Sequence, residues 1–179
     1  SSSYSGSDVS NYSVTNQSST TANVTAKALT VSGITSSDKS YDGSTSATLG
    51  ISNILYSGLV SGDNFSGSYS GTFNNANVAA NKTVTIASSY SGDDASNYSV
   101  TNQSSTTASV VKKVLTASAS ASNKTYNGNT TATTTLSFSG LVGSETLGQS
   151  VSSTFNNKNV GTGKTVTVNS ITLSNGSNG

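Results

Sequence analysis

Six residue types are missing from the 179-residue sequence: cysteine, histidine, proline, tryptophan, methionine and arginine. Without cysteine the chain has neither disulfide bridges nor zinc–thiolate sites. Without cysteine and histidine it has no thiolate nucleophile, no imidazole base and no conventional catalytic triad. Glu145 is the only glutamate, so a tuned pair of glutamates is excluded as well. The composition therefore predicts a protein that is not an enzyme.

Charge is also scarce, at 8% of residues, and eight basic residues against seven acidic ones leave a net charge of +1. The only adjacent basic residues are Lys112 and Lys113, so we expect no nucleic-acid partner. No apolar run approaches the roughly twenty residues that a membrane-spanning helix needs, so we expect no membrane insertion. Only 31% of the chain is hydrophobic. Disorder by self-repulsion nevertheless requires high net charge, and the abundant Thr, Val, Ile and Tyr favour strands.

What the sequence does contain is a repeat. The stretch NYSVTNQSSTTA, called the NYSV tract below, occurs identically at Asn11–Ala22 and at Asn97–Ala108. Similar motifs follow in the same order after each copy, including TFNNANV at 72–78 and TFNNKNV at 154–160. Such internal repetition indicates tandem modules of about 85 residues. We expect closing strands of a preceding module at 1–25, a complete module at 26–111, and a second module lacking its last strands at 112–179.

Within one module, short alternating stretches are separated by Gly-, Asn- and Asp-rich turns. This pattern predicts about seven strands, near Leu29–Ile34, Ala47–Ile54, Leu55–Val60, Phe65–Phe73, Thr83–Ala87, Tyr98–Thr101 and Thr106–Val111. The fold class is therefore all-β, with tandem Ig-like antiparallel β-sandwich modules arranged as a rod. A β-solenoid is the structural alternative. The predicted core consists of Leu29, Val31, Leu49, Ile51, Phe73, Val78, Val84, Ile86, Tyr98 and Val100.

The two modules share the pattern K-x-Y-[DN]-G-x-T-x-A-T, which contains Asp42-Gly43 in the first and Asn127-Gly128 in the second. Asp-Gly and Asn-Gly are the preferred pairs of a type I′ hairpin turn, in which both central residues adopt positive φ. Because Asn replaces Asp without loss of the pattern, we interpret these residues as structural turns rather than as acids or metal ligands.

Four motifs in fixed order (the K-x-Y-[DN]-G tract, GLV, FNNxNV and NYSV) resemble the YDG/MBG repeats of large secreted bacterial surface proteins, often of the filamentous-haemagglutinin type. The resemblance covers nearly the whole chain. It implies an extracellular, cell-surface β-module that forms part of an adhesin or fibre, and it supplies no catalytic residues. A carbohydrate-binding surface module and an amyloid-like matrix fibre are the alternatives. The tyrosines are dispersed along the sequence, which disfavours an aromatic sugar-binding platform.

Neighbouring copies or adjacent repeats are the expected partners, arranged head to tail. The predicted inter-module strand residues are Asn11, Tyr12, Val14 and Val24 in the first NYSV region and Asn97, Tyr98 and Val100 in the second. Residues 11–24 of one copy would complete the C-terminal module of its neighbour by strand addition. Equally, the same strand would arrive through the chain in a longer covalent array. Host or matrix glycans remain an open class of partner.

No cofactor is expected. Calcium is the remaining candidate, since Asp93 and Asp94 share a loop and Asp8 occupies the matching loop of the first tract. A calcium site takes six to eight oxygen ligands, several of them carboxylates. Scattered acids more often serve as solvated turn residues, so we expect calcium to be dispensable.

Overall fold

In the computed structural model, which describes residues 2–177, strands and loops account for almost the entire chain. Its helical content is limited to two short 3-10 turns, Val9–Asn11 and Ala95–Asn97. The predicted all-β class is confirmed. Residue 1 of the predicted segment 1–25 and residues 178–179 of the predicted module 112–179 lie outside the described residues. Among residues 2–177, no helix is long and apolar enough to cross a bilayer.

The first domain contains ten strands. They are β1 (Lys27–Ser32), β2 (Thr35–Ser36), β3 (Lys39–Ser40), β4 (Ser46–Ala47), β5 (Leu49–Gly50), β6 (Leu55–Ser57), β7 (Ser66–Phe73), β8 (Ala79–Ser91), β9 (Tyr98–Thr101) and β10 (Ser105–Val111). A three-stranded sheet has the order β6-β1-β9, and a five-stranded sheet has the order β3-β10-β8-β7-β4. Strands β2 and β5 form a small pair of their own.

Two of the pairings in this domain are parallel, which departs from the antiparallel sandwich expected from the sequence. Strand β1 pairs with β9 in parallel, so that Lys27 lies opposite Tyr98 and Thr30 lies opposite Thr101. The end of β10 pairs in parallel with β3. Parallel neighbours require long crossover connections, and here β1 and β3 each pair with a strand that lies far along the chain. The NYSV tract thus closes the first domain by reaching back to its beginning.

The core lies between the two larger sheets. Val31 and Ile34 are buried with Ile86, and partly buried side chains including Val100 and Tyr69 pack against them. A second cluster joins Phe73, Val84, Ala108 and Val110, so β10 supplies half of its buried members. Both sheets contribute to the first cluster, which makes the domain a β-sandwich.

Part of the sequence-derived core is wrong. Ile51 is 54% exposed and Val78 is 42% exposed, because Ile51 begins a turn and Val78 ends the loop before β8. The continuous strand predicted over 47–54 is instead two short strands, because β4 pairs with β7 and β5 pairs with β2, and the chain turns after Gly50. Ile34, Ala108 and Val110 are buried although the predicted core omitted them.

The second domain has fewer elements. Its strands are β11 (Thr116–Ala121), β12 (Thr134–Ser139), β13 (Leu147–Phe155) and β14 (Val166–Asn175). They form two antiparallel pairs, β11-β12 and β13-β14. An isolated bridge between Thr131 and Thr154 links the two halves. The buried apolar residues of this domain are Ala132 and Leu136, a much smaller set than in the first domain.

Residues 2–26, called the N-terminal arm below, form no strand and are exposed along their whole length. They contain the 3-10 turn at Val9–Asn11, with a hydrogen bond from the Asn11 N–H to the Asp8 carbonyl (3.0 Å), and the Tyr4 hydroxyl donates to Asn16 Oδ1. The arm therefore contains a complete copy of the NYSV tract that pairs with no strand among residues 2–177.

Candidate functional site: the domain junction and the open edge of the second domain

The loop that carries the K-x-Y-[DN]-G pattern is organised by its lysine. Lys39 Nζ donates to Asp42 Oδ1 (2.7 Å), Ser44 Oγ (2.9 Å) and the carbonyls of Ser44 (2.8 Å) and Ser46 (3.1 Å). The same ammonium lies over the Phe73 ring, 5.5 Å from its centroid, where a cation–π attraction adds to the hydrogen bonds. The loop is thus closed around one cation rather than by strand pairing.

The second domain repeats this arrangement. Lys124 Nζ donates to Asn129 Oδ1 (2.8 Å) and to the carbonyls of Asn129 (2.9 Å) and Thr131 (3.0 Å), and it lies over the Phe155 ring at 5.6 Å. The two loops therefore share a mechanism of closure even though their acceptor side chains differ.

The type I′ turn predicted at these loops is wrong. Gly43 and Gly128 do have positive φ, +75° and +80°, but Asn81 is the only non-glycine residue at positive φ among residues 2–177. Strands β3 and β4 also do not pair with each other. Asp42 Oδ1 instead accepts from the Ser44 N–H (2.9 Å), and Asn127 Oδ1 accepts from the Asn129 N–H (3.3 Å), which are Asx turns. Either residue forms this turn because each has the same side-chain oxygen.

The two loops differ in charge, because the first contains Asp42 and the second contains Asn127 at the matching position. Hydrogen bonding to the Lys39 ammonium, followed by the bond from the Ser44 N–H, lowers the pKa of Asp42 to about 2. The ion pair is exposed on the Asp42 side, so its contribution to stability is small. The uncharged Asn127 has no such titration.

The same loop of the first domain touches the second domain. Tyr41 Oη donates to the Glu145 carboxylate, and this hydrogen bond raises the pKa of the Tyr41 phenol. The space beside Gly43 is filled by Val142, since a Cβ at Gly43 would lie 3.0 Å from a Val142 methyl group. Only residues 112–115 separate β10 from β11. The junction is therefore a short connection braced by a loop-to-loop contact.

In the first domain the NYSV tract is held by many contacts. Tyr98 is 8% exposed, and its hydroxyl donates to the Asp63 carboxylate and accepts from the Val60 N–H (3.0 Å). The bond to Asp63 is the main cause that raises the pKa of Tyr98. The Gln103 amide accepts from the Ile34 N–H (3.0 Å) and donates to the Ile34 carbonyl (2.7 Å). Gln103 thus replaces a strand partner where the chain passes from β9 to β10.

The equivalent residues of the N-terminal arm are exposed. Tyr12 is 74% exposed and Val24, which matches the buried Val110, is 101% exposed. Gln17 keeps only the local bond to the Ser19 carbonyl (2.9 Å). The predicted inter-module residues Asn11, Tyr12, Val14 and Val24 therefore have no tertiary partner here, whereas Asn97, Tyr98 and Val100 lie at or in β9.

The second domain is open where the NYSV tract closes the first. Strand β11 pairs only with β12, and residues 113–116 match the β1 residues that pair with β9. Among residues 2–177, no strand pairs with 113–116 on the edge that corresponds to the β9 side of β1. A groove of about 780 Å³ runs between the Lys124 loop and the segment leading into β14, lined by residues that include Tyr126, Phe155, Val160 and Val166. In the first domain, the matching space between β3 and β8 is filled by β10.

Of the two acids considered first for calcium, Asp94 has other partners and Asp93 lies beside it in the same turn. Asp94 Oδ2 accepts from the Asn64 N–H (2.8 Å), and the Asp94 carbonyl accepts from the Asn97 N–H (3.0 Å). Asp63 accepts from Tyr98, on a different part of the surface. Residues 2–177 contain no group of three or more acidic, histidine or cysteine side chains suited to a metal ion. Asp94 acts here as a bond acceptor that fixes the Asn64 loop.

Four features were missed by reasoning from the sequence: the lysine-centred loops, the Gln103 bridge, the Tyr41–Glu145 contact and an aromatic cluster. That cluster surrounds Phe65, whose ring centroid lies 5.5 Å from Tyr56, 5.3 Å from Tyr90 and 5.7 Å from Tyr98. Three of the tyrosines are thus gathered around Phe65, whereas Tyr4, Tyr12 and Tyr126 are exposed. The role of Lys39 and Lys124 could have been inferred from the sequence, because both domains have lysine at this position of the shared pattern.

A comparison with protein families matches the YDG domain twice, at residues 25–108 and 111–179. The resemblance noted from the sequence motifs is thereby confirmed at the level of the domain family. No curated protein and no solved structure matches the chain.

Proposed function

The chain belongs to the YDG domain family, and we propose that its two tandem domains form a structural and adhesive segment of an extracellular bacterial surface fibre. The segment would act mechanically, by holding successive domains in fixed orientation. Nearest-neighbour contacts of this kind add stability along an array of repeats. The low charge and the Ser-, Thr- and Asn-rich surface suit a hydrated stalk outside the cell.

The braced junction is the observation that carries this proposal. Residues 112–115 are too few to act as a flexible linker between β10 and β11. The Tyr41–Glu145 hydrogen bond and the Gly43–Val142 approach restrict rotation about that connection. The same loops exist in both domains, since Tyr126 and Gly128 match Tyr41 and Gly43. The contact can therefore repeat at every junction of a longer array.

Residual dipolar couplings measured by NMR test the mechanical part of the proposal. One alignment tensor should describe both domains of the native chain. A flexible Gly/Ser insertion after Val111 should give two different tensors, and the combination of Tyr41→Phe with Glu145→Gln should give an intermediate result. Independent tensors in the native chain would refute the fixed orientation.

Immunogold labelling with antibodies against residues 26–177 tests the location on intact source cells. The proposal expects label on the cell surface or on projecting fibres. Label confined to the interior of permeabilised cells would overturn it. X-ray fibre diffraction of any assembled material distinguishes a fibre of folded domains from the amyloid-like alternative, for which a meridional reflection near 4.7 Å is expected.

A further inference from the structure

We propose that Asn127 is a site of spontaneous deamidation. The aspartate formed there becomes an acceptor for Lys124, as Asp42 is for Lys39 in the first domain. The modification needs no enzyme, since the reacting groups belong to one loop, and it does not depend on the proposed structural function. Each conversion replaces a neutral amide with a carboxylate and so changes the charge of the second domain.

The reaction takes place between the Asn127 side chain and the backbone of Gly128. The Gly128 nitrogen loses its proton to solvent base and forms a bond to the Asn127 side-chain carbon Cγ. The bond from Cγ to Nδ2 then breaks, and Nδ2 leaves as ammonia with a proton from water. Water opens the resulting cyclic succinimide at either carbonyl, which gives aspartate or isoaspartate. The chain thus exchanges ammonia for water, with no oxidant or reductant.

The local structure brings the two reacting atoms together. Glycine has no Cβ to shield its nitrogen, and it tolerates backbone conformations that other residues avoid. Gly128 has φ +80°, close to the +75° of Gly43 in the matching loop. Asn127 Oδ1 accepts from the Asn129 N–H at 3.3 Å, so the side chain turns back toward the peptide unit that contains the Gly128 nitrogen. Such proximity favours an intramolecular reaction.

Water reaches this position of the loop in either domain. Asp42 occupies it in the first domain, and its side chain is 51% exposed although the neighbouring Tyr41 contacts the second domain. Asn127 is exposed as well. The access that hydrolysis requires is therefore a property of the loop itself, whatever adjoins it.

The loop around Lys124 is suited to the aspartate product. In the first domain, Lys39 Nζ donates to Asp42 Oδ1 at 2.7 Å and to two residues further along the loop. Among residues 2–177, the hydrogen-bond acceptors of Lys124 Nζ are the counterparts of those two later residues, and Asn127 is not one of them. A carboxylate binds an ammonium more strongly than an amide does. Deamidation would therefore complete the arrangement present in the first domain.

The other Asn-Gly and Asp-Gly pairs that the structure describes are less suited to the reaction. Asn175 lies in β14 opposite Leu147, and strand pairing holds its backbone extended. At Asp42-Gly43 the side chain is a carboxylate, whose pKa of about 2 keeps it ionised, and an ionised carboxylate resists attack by a nitrogen nucleophile. The remaining Asn-Gly pair, 178–179, lies outside the described residues.

Peptide mapping by mass spectrometry tests the site. The native chain is incubated at mildly alkaline pH and digested at intervals with a protease active at mildly acidic pH. Electron-transfer fragmentation assigns each gain of about one dalton to a residue and separates aspartate from isoaspartate. We expect Asn127 to deamidate at least about tenfold faster than Asn175 and than Asn129, which precedes a threonine in the same loop. Asn127→Gln is the matched control and should abolish the early product, because glutamine would have to form a larger ring.

A second measurement tests the role given to Lys124. Asn127→Asp supplies the product directly, and an NMR titration should give the new carboxyl a pKa below the ordinary value of aspartate, because the ammonium stabilises its charged form. Addition of Lys124→Gln should return that pKa toward the ordinary value. Lys27→Gln removes the same charge from the first domain and should leave the pKa unchanged. The dispersion of the second-domain amide signals checks that each variant is folded.

Three results would overturn the inference. One is deamidation of Asn127 that is no faster than that of Asn129 or Asn175 in the native chain. Another is isoaspartate at position 127 without any aspartate. The third is a carboxyl in Asn127→Asp whose pKa is ordinary and does not respond to Lys124→Gln. None of these results bears on the relative orientation of the domains, so the proposed structural function is tested separately by the dipolar couplings.

Discussion

The two copies of the NYSV tract have the same sequence and different structures. At Asn97–Ala108 the tract forms β9 and the start of β10, joins two sheets and supplies Tyr98 and Ala108 to the core. At Asn11–Ala22 it forms no strand and is exposed throughout, and Asn16 accepts a hydrogen bond from Tyr4 within the arm. The first domain, with its tract in place, has a two-sheet core, whereas the second has two separate strand pairs and an open groove.

This difference shows which part of the tract's structure is local. Both copies form the same 3-10 turn, with an N–H to carbonyl bond of 3.0 Å across it in each case. Both glutamines bond to a carbonyl two residues later, at 2.9 Å for Gln17 and 3.2 Å for Gln103. Hydrogen bonds to the strands and loops of a folded domain exist only in the second copy. The tract therefore keeps its 3-10 turn and the extended backbone of its tyrosine by itself, and becomes a pair of strands only against a domain.

The largest expected difference between the copies concerns the buried valine. Val110→Ala should lower the free energy of unfolding of the first domain by about 2–3 kcal/mol, because it removes buried methyl groups and leaves a cavity beside Phe73. The matching Val24→Ala should change it by less than about 0.5 kcal/mol. NMR-detected amide exchange in dilute, monomeric protein measures the two domains separately. Equal effects of the two substitutions would mean that Val24 is buried in the free chain.

A smaller difference is expected at the paired glutamines. Gln103→Ala should destabilise the first domain by about 1–3 kcal/mol, since it leaves the N–H and carbonyl of the buried Ile34 without this partner. Gln17→Ala should have almost no effect in the monomer. Urea unfolding followed by domain-specific NMR signals provides the measurement. A neutral Gln103→Ala would show that water replaces the amide at no cost.

The smallest expected effect is a difference between the two domains in how their stability depends on pH. The folded-state pKa of Asp42, about 2, lies below its ordinary value of 3.8, so the ionised form stabilises the fold above pH 3.8. That contribution should be lost as the pH falls from about 3.8 to about 2. Urea titrations across this range should show a shallower decline for Asp42→Asn than for the native first domain. Asn127→Asp should introduce a similar decline in the second domain if Lys124 can pair with it.

Sequence patterns predicted the repeat, the all-β class and several strands with good accuracy, and β9 has the predicted bounds of Tyr98–Thr101. Alternation of apolar and polar residues is a local property, so it predicts a strand without information about distant residues. The prediction of a type I′ turn was wrong because Lys39 and an Asx hydrogen bond determine the shape of that loop. A rule based only on the Asp-Gly or Asn-Gly pair takes neither into account. The parallel pairings were also missed, because strand direction depends on where the chain returns and not on strand composition.

The sequence by itself determined the local features: the Asx turns, the 3-10 turns and the extended backbone at Tyr12 and Tyr98, all of which depend on residues a few positions apart. It also determined the shared motif order that marks two domains of one family. Only the tertiary structure decided which copy of the tract becomes two strands. A strand edge obtains its hydrogen bonds, and a valine its buried surface, from residues distant in the chain. Identical sequences therefore differ in structure wherever those distant partners are present for one copy and absent for the other.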